Sequence, residues 1–173
     1  MASSLIVFFS RSGLNSDGVR LVTGYTHTLA NIIRAETGAD MFEIIPSVAY
    51  PDDYRETVAR NQWEEDEDAR PEIVGGLPST DDYDTVFIGF PTWNMQLPMV
   101  MRTFLEGVDL NGKTVVPFNT NAGYGVGSAV RQIKRQWPYA TVLREFAVKS
   151  TEGGLFSHSS GIVVAEYRTG GGR

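Results

Sequence analysis

Hydroxyl-bearing residues and glycine cluster at both ends of a polar segment near the start of the chain. Ser10, Ser12 and Gly13 directly follow an apolar run, and Thr26 and Thr28 directly precede residues with helical spacing. Hydroxyl groups and the unpaired N–H groups of a helix N-terminus suit a phosphate, because both the donors and the helix dipole favour an anion. The alternative is that one threonine caps the helix and the serines form a turn. The pattern predicts a phosphate site and leaves that alternative open.

A tryptophan stands in a second loop that also follows an apolar run. In the stretch FPTWNMQLP, Trp93 lies between two prolines that stiffen the loop. Its indole ring could stack on a planar ligand. Asn94 tolerates positive φ and could turn a backbone group toward the edge of such a ring. The alternative is a tryptophan that only packs its loop against the rest of the protein.

Glycines dominate a third loop, NTNAGYG. Gly123 and Gly125 flank Tyr124 and would let the backbone approach a flat ligand closely, although an ordinary strand-to-helix turn has the same composition. Taken together, the three loops favour a ligand with a flat ring and a single phosphate. The GxGxxG fingerprint and the Walker sequence GK[ST] are both absent, which weakens the case for tightly held NAD(P) or ATP.

The elements that must position these loops follow from the hydrophobic pattern. Segments that predict strands alternate with segments that predict helices, and the strands are expected over 5–9, 40–45, 85–90, 114–118 and 140–148. Nearly continuous apolar strands between helices are typical of a parallel sheet with both faces covered, so we expect a doubly wound α/β fold. Ligands bind such sheets beyond the carboxyl ends of the strands, where all three loops lie.

Two further segments lie outside this regular pattern. The polar stretch 51–70 predicts a helix opened by Pro51 and Asp52, and its acidic run 64–68 is either a docking patch for a basic partner or a solvated helix face. The run GIVVAEY at 161–167 could add an edge strand or pair with a second chain, which leaves the oligomeric state open.

We expect a single domain over 1–173, with a core over about 4–148 and a C-terminal extension over 149–173.

Composition excludes several classes of function. The chain has no cysteine and only two histidines, which argues against thiolate clusters, cysteine nucleophiles and multi-histidine metal sites. A net charge of -6 argues against nucleic acid or an anionic membrane as the main partner. No apolar run approaches the length of a membrane span, so we expect a cytoplasmic protein.

A hydrolytic triad is also not convincing. The candidates would be Ser10, His27 and Asp17, but no GxSxG sequence is present.

The order of these segments resembles the flavodoxin family over most of residues 4–148. The pieces that carry the resemblance are FFSRSG, ADMFEI, ARPEI, YDTVFIGFPTW, TFLEG, GKTVVPF and NTNAGYGVGS. The resemblance implies a three-layer, flavodoxin-like fold whose five-stranded parallel sheet has the order 2-1-3-4-5. It also implies FMN as the cofactor and redox proteins with basic docking surfaces as partners.

The resemblance assigns the contacts with FMN to the three loops, and no catalytic residue or metal ligand is predicted. The phosphate would lie on Ser10, Ser12 and the backbone of Arg11 and Gly13, and Tyr25 and Thr26 would close this cradle. The isoalloxazine ring would lie against two loops, whose assigned residues are Pro91, Thr92, Trp93, Asn94, Met95, Thr120, Asn121, Ala122, Gly123, Tyr124 and Gly125.

The chain departs from the usual family pattern at two places. The phosphate loop is interrupted after Gly13 and resumes at Tyr25, so 14–24 is an insertion that could cover the phosphate or serve as a docking surface. Relatives often carry a second tryptophan and a glycine where this chain has Asn94 and Met95. The three loops and the net charge of -6 favour an electron carrier. The missing second tryptophan could leave one face of the ring open, which keeps an FMN-dependent NAD(P)H:quinone reductase as an alternative. The insertion and the missing tryptophan also keep a flavin-free interaction module as an alternative.

Overall fold

The computed structural model describes residues 3–151 and 154–155. Its strands are β1 (Ser4–Phe8), β2 (Gly13–Leu14), β3 (Arg20–Leu21), β4 (Asp40–Glu43), β5 (Thr85–Pro91), β6 (Thr114–Asn121), β7 (Thr141–Val142), β8 (Phe146–Thr151) and β9 (Gly154–Leu155). Its helices are α1 (Tyr25–Thr37), α2 (Tyr54–Asp66), α3 (Met99–Gly107) and α4 (Ala129–Gln136).

The main sheet is parallel and has the order β4-β1-β5-β6-β8, with the short β7 also beside β6. Counted as the five principal strands of the chain, this order is 2-1-3-4-5, which confirms the predicted topology. Strand β9 adds an antiparallel edge next to β8. The edge strand expected at 161–167 lies outside the described residues. The order reverses beside β1, so the carboxyl ends of β1 and β5 flank the crevice where such folds bind ligands.

Alternating residues of β1, together with Phe9 directly after it, divide the core into two layers. Leu5, Val7 and Phe9 belong to a buried cluster that includes residues of α3 and α4, whereas Ile6 and Phe8 belong to a second cluster with α1. This alternation follows from the two-residue repeat of a strand and places helices on both faces of the sheet. The three-layer, doubly wound architecture is therefore confirmed.

The fifth strand differs from its prediction because its register on β6 shifts by one residue. Thr141 and Val142 pair with Thr114 and Val115, but Phe146 pairs with Phe118. One extra residue must therefore fit between the paired segments, as in a β-bulge. The predicted strand over 140–148 is thus two strands, and the second continues to residue 151.

Helix α2 begins at Tyr54, after the opening predicted at Pro51 and Asp52, and buries a polar stripe. Asp53, rather than Asp52, caps the helix, since its Oδ1 accepts a hydrogen bond from the Glu56 N–H at 3.0 Å. The buried residues of this helix are Thr57, Asn61 and Glu64, which share one face. Buried polar side chains need hydrogen-bond partners, so this face must meet polar groups of the protein or of a ligand.

In the described part of the chain, no helix is long and apolar enough to cross a membrane. Over the same residues, no group of three or more histidine, aspartate or glutamate side chains is arranged to hold a metal ion.

Candidate functional site

The three predicted loops meet around one cavity of about 600 Å³ at the carboxyl ends of β1, β5 and β6. Most residues predicted to contact the ligand line this cavity, namely Ser10, Arg11, Tyr25, Thr26, Pro91, Thr92, Trp93, Asn94, Met95, Thr120, Asn121, Ala122 and Tyr124. Ser12, Gly13, Gly123 and Gly125 are not among its lining residues. Gly13 instead packs against Asp52, and Ser12 is exposed to solvent.

The N-terminus of α1 forms one end of the site. The helix begins after Gly24, which has no side chain to cap it, and Ser10 Oγ accepts a hydrogen bond from the His27 N–H at 3.1 Å. Gly24 lies so close to Ser10 Oγ and the Arg11 carbonyl oxygen that a Cβ atom at position 24 would overlap both. The first loop therefore lies directly against a helix start whose N–H groups and dipole favour an anion.

Arg11 holds the insertion in place and is not aligned as an anion ligand. Its guanidinium donates hydrogen bonds to the carbonyl oxygens of Leu14, Pro51 and Asp52 at 2.8–3.3 Å. Burial is the main effect on the Arg11 guanidinium and lowers its pKa, although the nearby Asp52 opposes that shift. The insertion forms the antiparallel ribbon β2–β3, and Arg20 of this ribbon makes an ion pair with Asp52.

Trp93 also lines the cavity and stands at the start of a tight turn. The backbone groups of Trp93 and Gln96 exchange two hydrogen bonds, and the residues between them, Asn94 and Met95, have φ values of +47° and +61°. Asn94 was expected to tolerate positive φ, whereas nothing in the sequence pointed to a positive φ at Met95. A methionine with positive φ is unusual, and such residues occur at sites where the surroundings impose the conformation.

The Trp93 ring packs against two other aromatic residues. It makes edge-on contacts with Phe9 and Tyr50, with centroid distances of 5.3 and 4.9 Å. The tryptophan therefore both packs its loop against the core and lines the cavity, so the two interpretations of its role apply together. Rigid packing of this kind positions a ring that can then contact a ligand.

A network of buried amides joins the second and third loops. Asn119 Nδ2 donates to the Phe90 carbonyl and to Thr92 Oγ1, and Asn119 Oδ1 accepts from Asn121 Nδ2. Asn121 Oδ1 accepts from the N–H groups of Gly123 and Gly125, at 2.8 and 3.2 Å. These two glycines shape the third loop, although neither lines the cavity. Asn119 was not predicted as a site residue, although the alternating polar residues Asn-Thr-Asn at the end of an apolar strand were a usable signal.

The start of α1 is also tied to this network through β6. Thr26 Oγ1 and Thr120 Oγ1 are 2.7 Å apart and share a buried hydrogen bond. All three loops are thus connected to one another beneath the cavity.

Helix α2 forms a wall of the cavity that was not predicted, and a second additional wall is the ribbon of the insertion 14–24, for which a cover over the phosphate was one of two interpretations. The additional lining residues are Asn15, Ser16, Leu21, Tyr54, Thr57, Val58, Asn61 and Ser150. The signal for α2 was the spacing of Tyr54, Thr57 and Asn61, which places their side chains on one side of a helix. The stretch 51–70 was predicted only as a polar helix, and a solvated face was one of two interpretations of its acidic run 64–68.

The acidic run 64–68 is not a uniform surface. Glu64 is buried and accepts hydrogen bonds from Tyr50 OH at 2.6 Å and Arg60 Nε at 3.1 Å, and Glu65 accepts from Asn61 and Asn94. Burial, followed by the interaction with Glu64, raises the pKa of Tyr50, so its hydroxyl remains a donor. Only the exposed residues 66–68 fit the solvated face that one interpretation predicted.

The residues considered as a hydrolytic triad make other contacts. His27 Nδ1 lies 3.9 Å from Glu43 Oε1, and the His27 ring packs against Phe8. Asp17 accepts a hydrogen bond from the Val19 N–H and lies 3.4 Å from the Tyr25 hydroxyl oxygen. Among the described residues, the His27 ring makes no hydrogen bond to the Ser10 hydroxyl, as a hydrolytic triad would require.

Comparisons with known proteins agree with this architecture. The family model described as Flavodoxin matches residues 4–153. A solved structure from Bacteroides eggerthii, described as a candidate flavoprotein, is 30% identical with a TM-score of 0.70, and the match covers 85% of this chain and 88% of that chain. The search of curated proteins gave no match.

Two further solved structures share the fold. One, from Bacteroides uniformis and also described as a candidate flavoprotein, is 24% identical with a TM-score of 0.76, and the match covers 95% and 98% of the two chains. The other is a Lactobacillus acidophilus flavoprotein in complex with FMN. It is 21% identical with a TM-score of 0.66, and the match covers 86% of this chain and 93% of that chain. Since the family model spans most of the sequence and the strand order agrees with it, this chain belongs to the flavodoxin family.

Proposed function

We propose that this protein binds FMN in the cavity and transfers electrons between redox proteins. The observation that carries the proposal is the convergence of three loops on one cavity, with a helix N-terminus on one side and Trp93 on another. A cofactor with a phosphate at one end and a flat ring at the other matches this arrangement. Membership of the flavodoxin family supports the same cofactor.

The phosphate end of FMN fits the start of α1. Gly24 contributes no side chain there, and the candidate donors near this end are backbone N–H groups and the hydroxyls of Ser10 and Thr26. Such donors suit a phosphate because N–H and O–H groups at a helix start stabilise an anion, and no charged side chain is needed. Arg11 contributes by holding the ribbon rather than by pairing with the phosphate.

The ring end of FMN fits the wall made by Trp93 and α2. Trp93 offers an aromatic surface that is fixed by its packing on Phe9 and Tyr50. Asn61 adds a buried acceptor, Oδ1, that has no hydrogen-bond partner in the described part of the chain. An aromatic surface beside an unused acceptor suits a flat ring that carries N–H groups.

When bound, FMN supplies the redox chemistry, and the chain supplies binding, orientation and access. Met95 and Tyr124 line the cavity and are 47% and 78% exposed, so they form a rim that a partner can contact. The net charge of -6 favours partners with basic surfaces, because opposite charges speed encounter and orient the complex.

One observation favours a second candidate, an FMN-dependent oxidoreductase for small substrates such as quinones. Leu21, Tyr54 and Val58 extend the cavity beyond the three loops expected to contact FMN. A wall of this kind could enclose a substrate beside the ring, which a carrier does not need. The flavin-free interaction module remains the third alternative.

Titration of the purified protein with FMN, followed by stepwise anaerobic reduction, tests these candidates. Flavin retained through gel filtration and reduced in two separate one-electron steps supports the carrier. Steady oxidation of NADH or NADPH with a quinone, by the purified protein alone, supports the oxidoreductase. Failure to bind FMN would refute both and leave the interaction module.

A further inference from the structure

Asn61 is the one buried polar side chain on the cavity wall whose hydrogen-bonding capacity is incomplete in the described part of the chain. The residue is 4% exposed, lines the cavity, and its Oδ1 has no hydrogen-bond partner there. Buried polar atoms nearly always have a hydrogen-bond partner. An unpaired acceptor in a cavity wall therefore indicates that a ligand supplies the donor.

The orientation of the Asn61 amide is fixed by its neighbour. Its Nδ2 donates to Glu65 Oε1 at 3.0 Å. A carboxylate only accepts hydrogen bonds, so the NH₂ group of Asn61 must face Glu65 and the oxygen must face the other way. The free atom is therefore an acceptor, and its ligand must offer a donor. Donation by Nδ2 to a charged group also polarises the amide and strengthens Oδ1 as an acceptor.

Glu65 connects Asn61 to the turn that follows Trp93. Glu65 Oε2 accepts a hydrogen bond from Asn94 Nδ2 at 2.9 Å, so one carboxylate bridges the two amides. This bridge places Asn61 beside the part of the cavity that Trp93 lines, whereas the start of α1 marks the phosphate end. The donor that meets Asn61 therefore belongs to the ring end of the ligand.

We propose that Asn61 Oδ1 accepts a hydrogen bond from the imide N–H of the flavin ring, an inference that rests on FMN binding as proposed above. In the oxidised ring this imide carries the N–H donor, whereas the ribityl hydroxyls can also accept and so do not require an acceptor. Asn61 is then a binding residue contributed by α2 and not by any of the three loops.

The test measures the Kd of the full chain for FMN and for 3-methyl-FMN, in which a methyl group replaces the imide hydrogen, by quenching of flavin fluorescence. The variants are Asn61→Ala, which removes the acceptor and makes room for the methyl group, and Asn31→Ala, an exposed asparagine on α1, as the matched control. Circular dichroism and the urea midpoint check that each variant is folded.

For the wild type, we expect 3-methyl-FMN to bind about tenfold more weakly than FMN, as the loss of one hydrogen bond implies. Asn61→Ala should bind FMN about tenfold more weakly than the wild type and should bind both flavins within about twofold of each other. Asn31→Ala should behave as the wild type.

Three results would overturn the proposal. In the first, Asn61→Ala binds FMN as tightly as the wild type. In the second, the variant still prefers FMN to 3-methyl-FMN as strongly as the wild type does, which would mean that another acceptor meets the imide. In the third, the wild type binds FMN and 3-methyl-FMN with equal affinity. This comparison uses the wild type alone and so does not depend on how the variant folds. Absence of FMN binding by the wild type would instead refute the proposed function, and this inference with it.

Discussion

Gly127 lies against the carbonyl oxygen of Met95, so closely that a Cβ atom at position 127 would overlap it. The same carbonyl accepts a hydrogen bond from the Ser128 N–H at 2.8 Å. The segment before α4 therefore holds the turn at Asn94 and Met95 in its positive-φ conformation. Because Trp93 begins this turn, its position depends on the absence of a side chain at residue 127.

Gly127→Ala should weaken both folding and FMN binding. Gly127 itself has a φ of +54°, so alanine adds backbone strain to the overlap, and we expect a loss of about 1–3 kcal/mol in unfolding free energy. The Kd for FMN should rise because the turn moves. Urea denaturation and flavin titration measure the two effects. Gly112→Ala is the control, since Gly112 has a φ of +81° but no atom near its Cβ position. Unchanged FMN affinity in Gly127→Ala would contradict the prediction.

Gly24→Ala should damage the phosphate end of the site selectively. Gly24 has an ordinary φ of -64°, so its substitution adds overlap with Ser10 and Arg11 without backbone strain. We expect the Kd for FMN to rise by about tenfold or more, and the Kd for riboflavin, which lacks the phosphate, to change less. Thr23→Ala, a change at the exposed neighbouring residue, is the control. Equal losses for FMN and riboflavin would show that the cradle does not bind the phosphate.

Asn119→Leu should destabilise the protein strongly, because the side chain is fully buried and holds two loops together. The substitution removes the partner of the Phe90 carbonyl, Thr92 Oγ1 and Asn121 Nδ2, and each buried group left unpaired costs about 1–3 kcal/mol. The unfolding free energy in urea measures the loss. Asn31→Leu, at an exposed position of α1, serves as the control and should cost less than about 1 kcal/mol. A similar loss in both variants would contradict a special role for the network.

Tyr50→Phe should change how stability depends on alkaline pH. The folded protein raises the pKa of Tyr50 above its ordinary value of 10.0, so above that pH the unfolded chain loses this proton first. The stabilising contribution of the Tyr50 hydroxyl is therefore complete below pH 10 and decreases as pH rises. Tyr50→Phe should be less stable than the wild type by about 1–3 kcal/mol at neutral pH, because Glu64 loses a donor.

The difference in unfolding free energy between Tyr50→Phe and the wild type, measured in urea at several values between pH 8 and 10.5, checks this prediction. We expect the difference to be constant up to about pH 9.5 and to shrink above it. A difference that stays constant over the whole range would mean that the hydroxyl has an ordinary pKa in the folded protein.

The sequence was most informative where a local pattern fixes both an element and its end. The apolar run of β1 followed by Ser10, and Trp93 between two prolines, each placed a loop correctly at a strand end. The contribution of α2 was missed because polarity usually means solvent exposure, and only tertiary packing buries Thr57, Asn61 and Glu64. The one-residue shift in the fifth strand depends on pairing with β6, which no local pattern encodes.

The attachment of the β2–β3 ribbon also bears on how a cofactor enters and leaves. Arg11, Leu14 and Arg20 all bond to the segment 51–52, directly before α2. The ribbon therefore cannot swing away from the cavity without losing several bonds to that segment at once. Where exchange of the cofactor requires this opening, loss of these bonds adds to the barrier, and the dissociation half-life depends on contacts that the cofactor itself does not make.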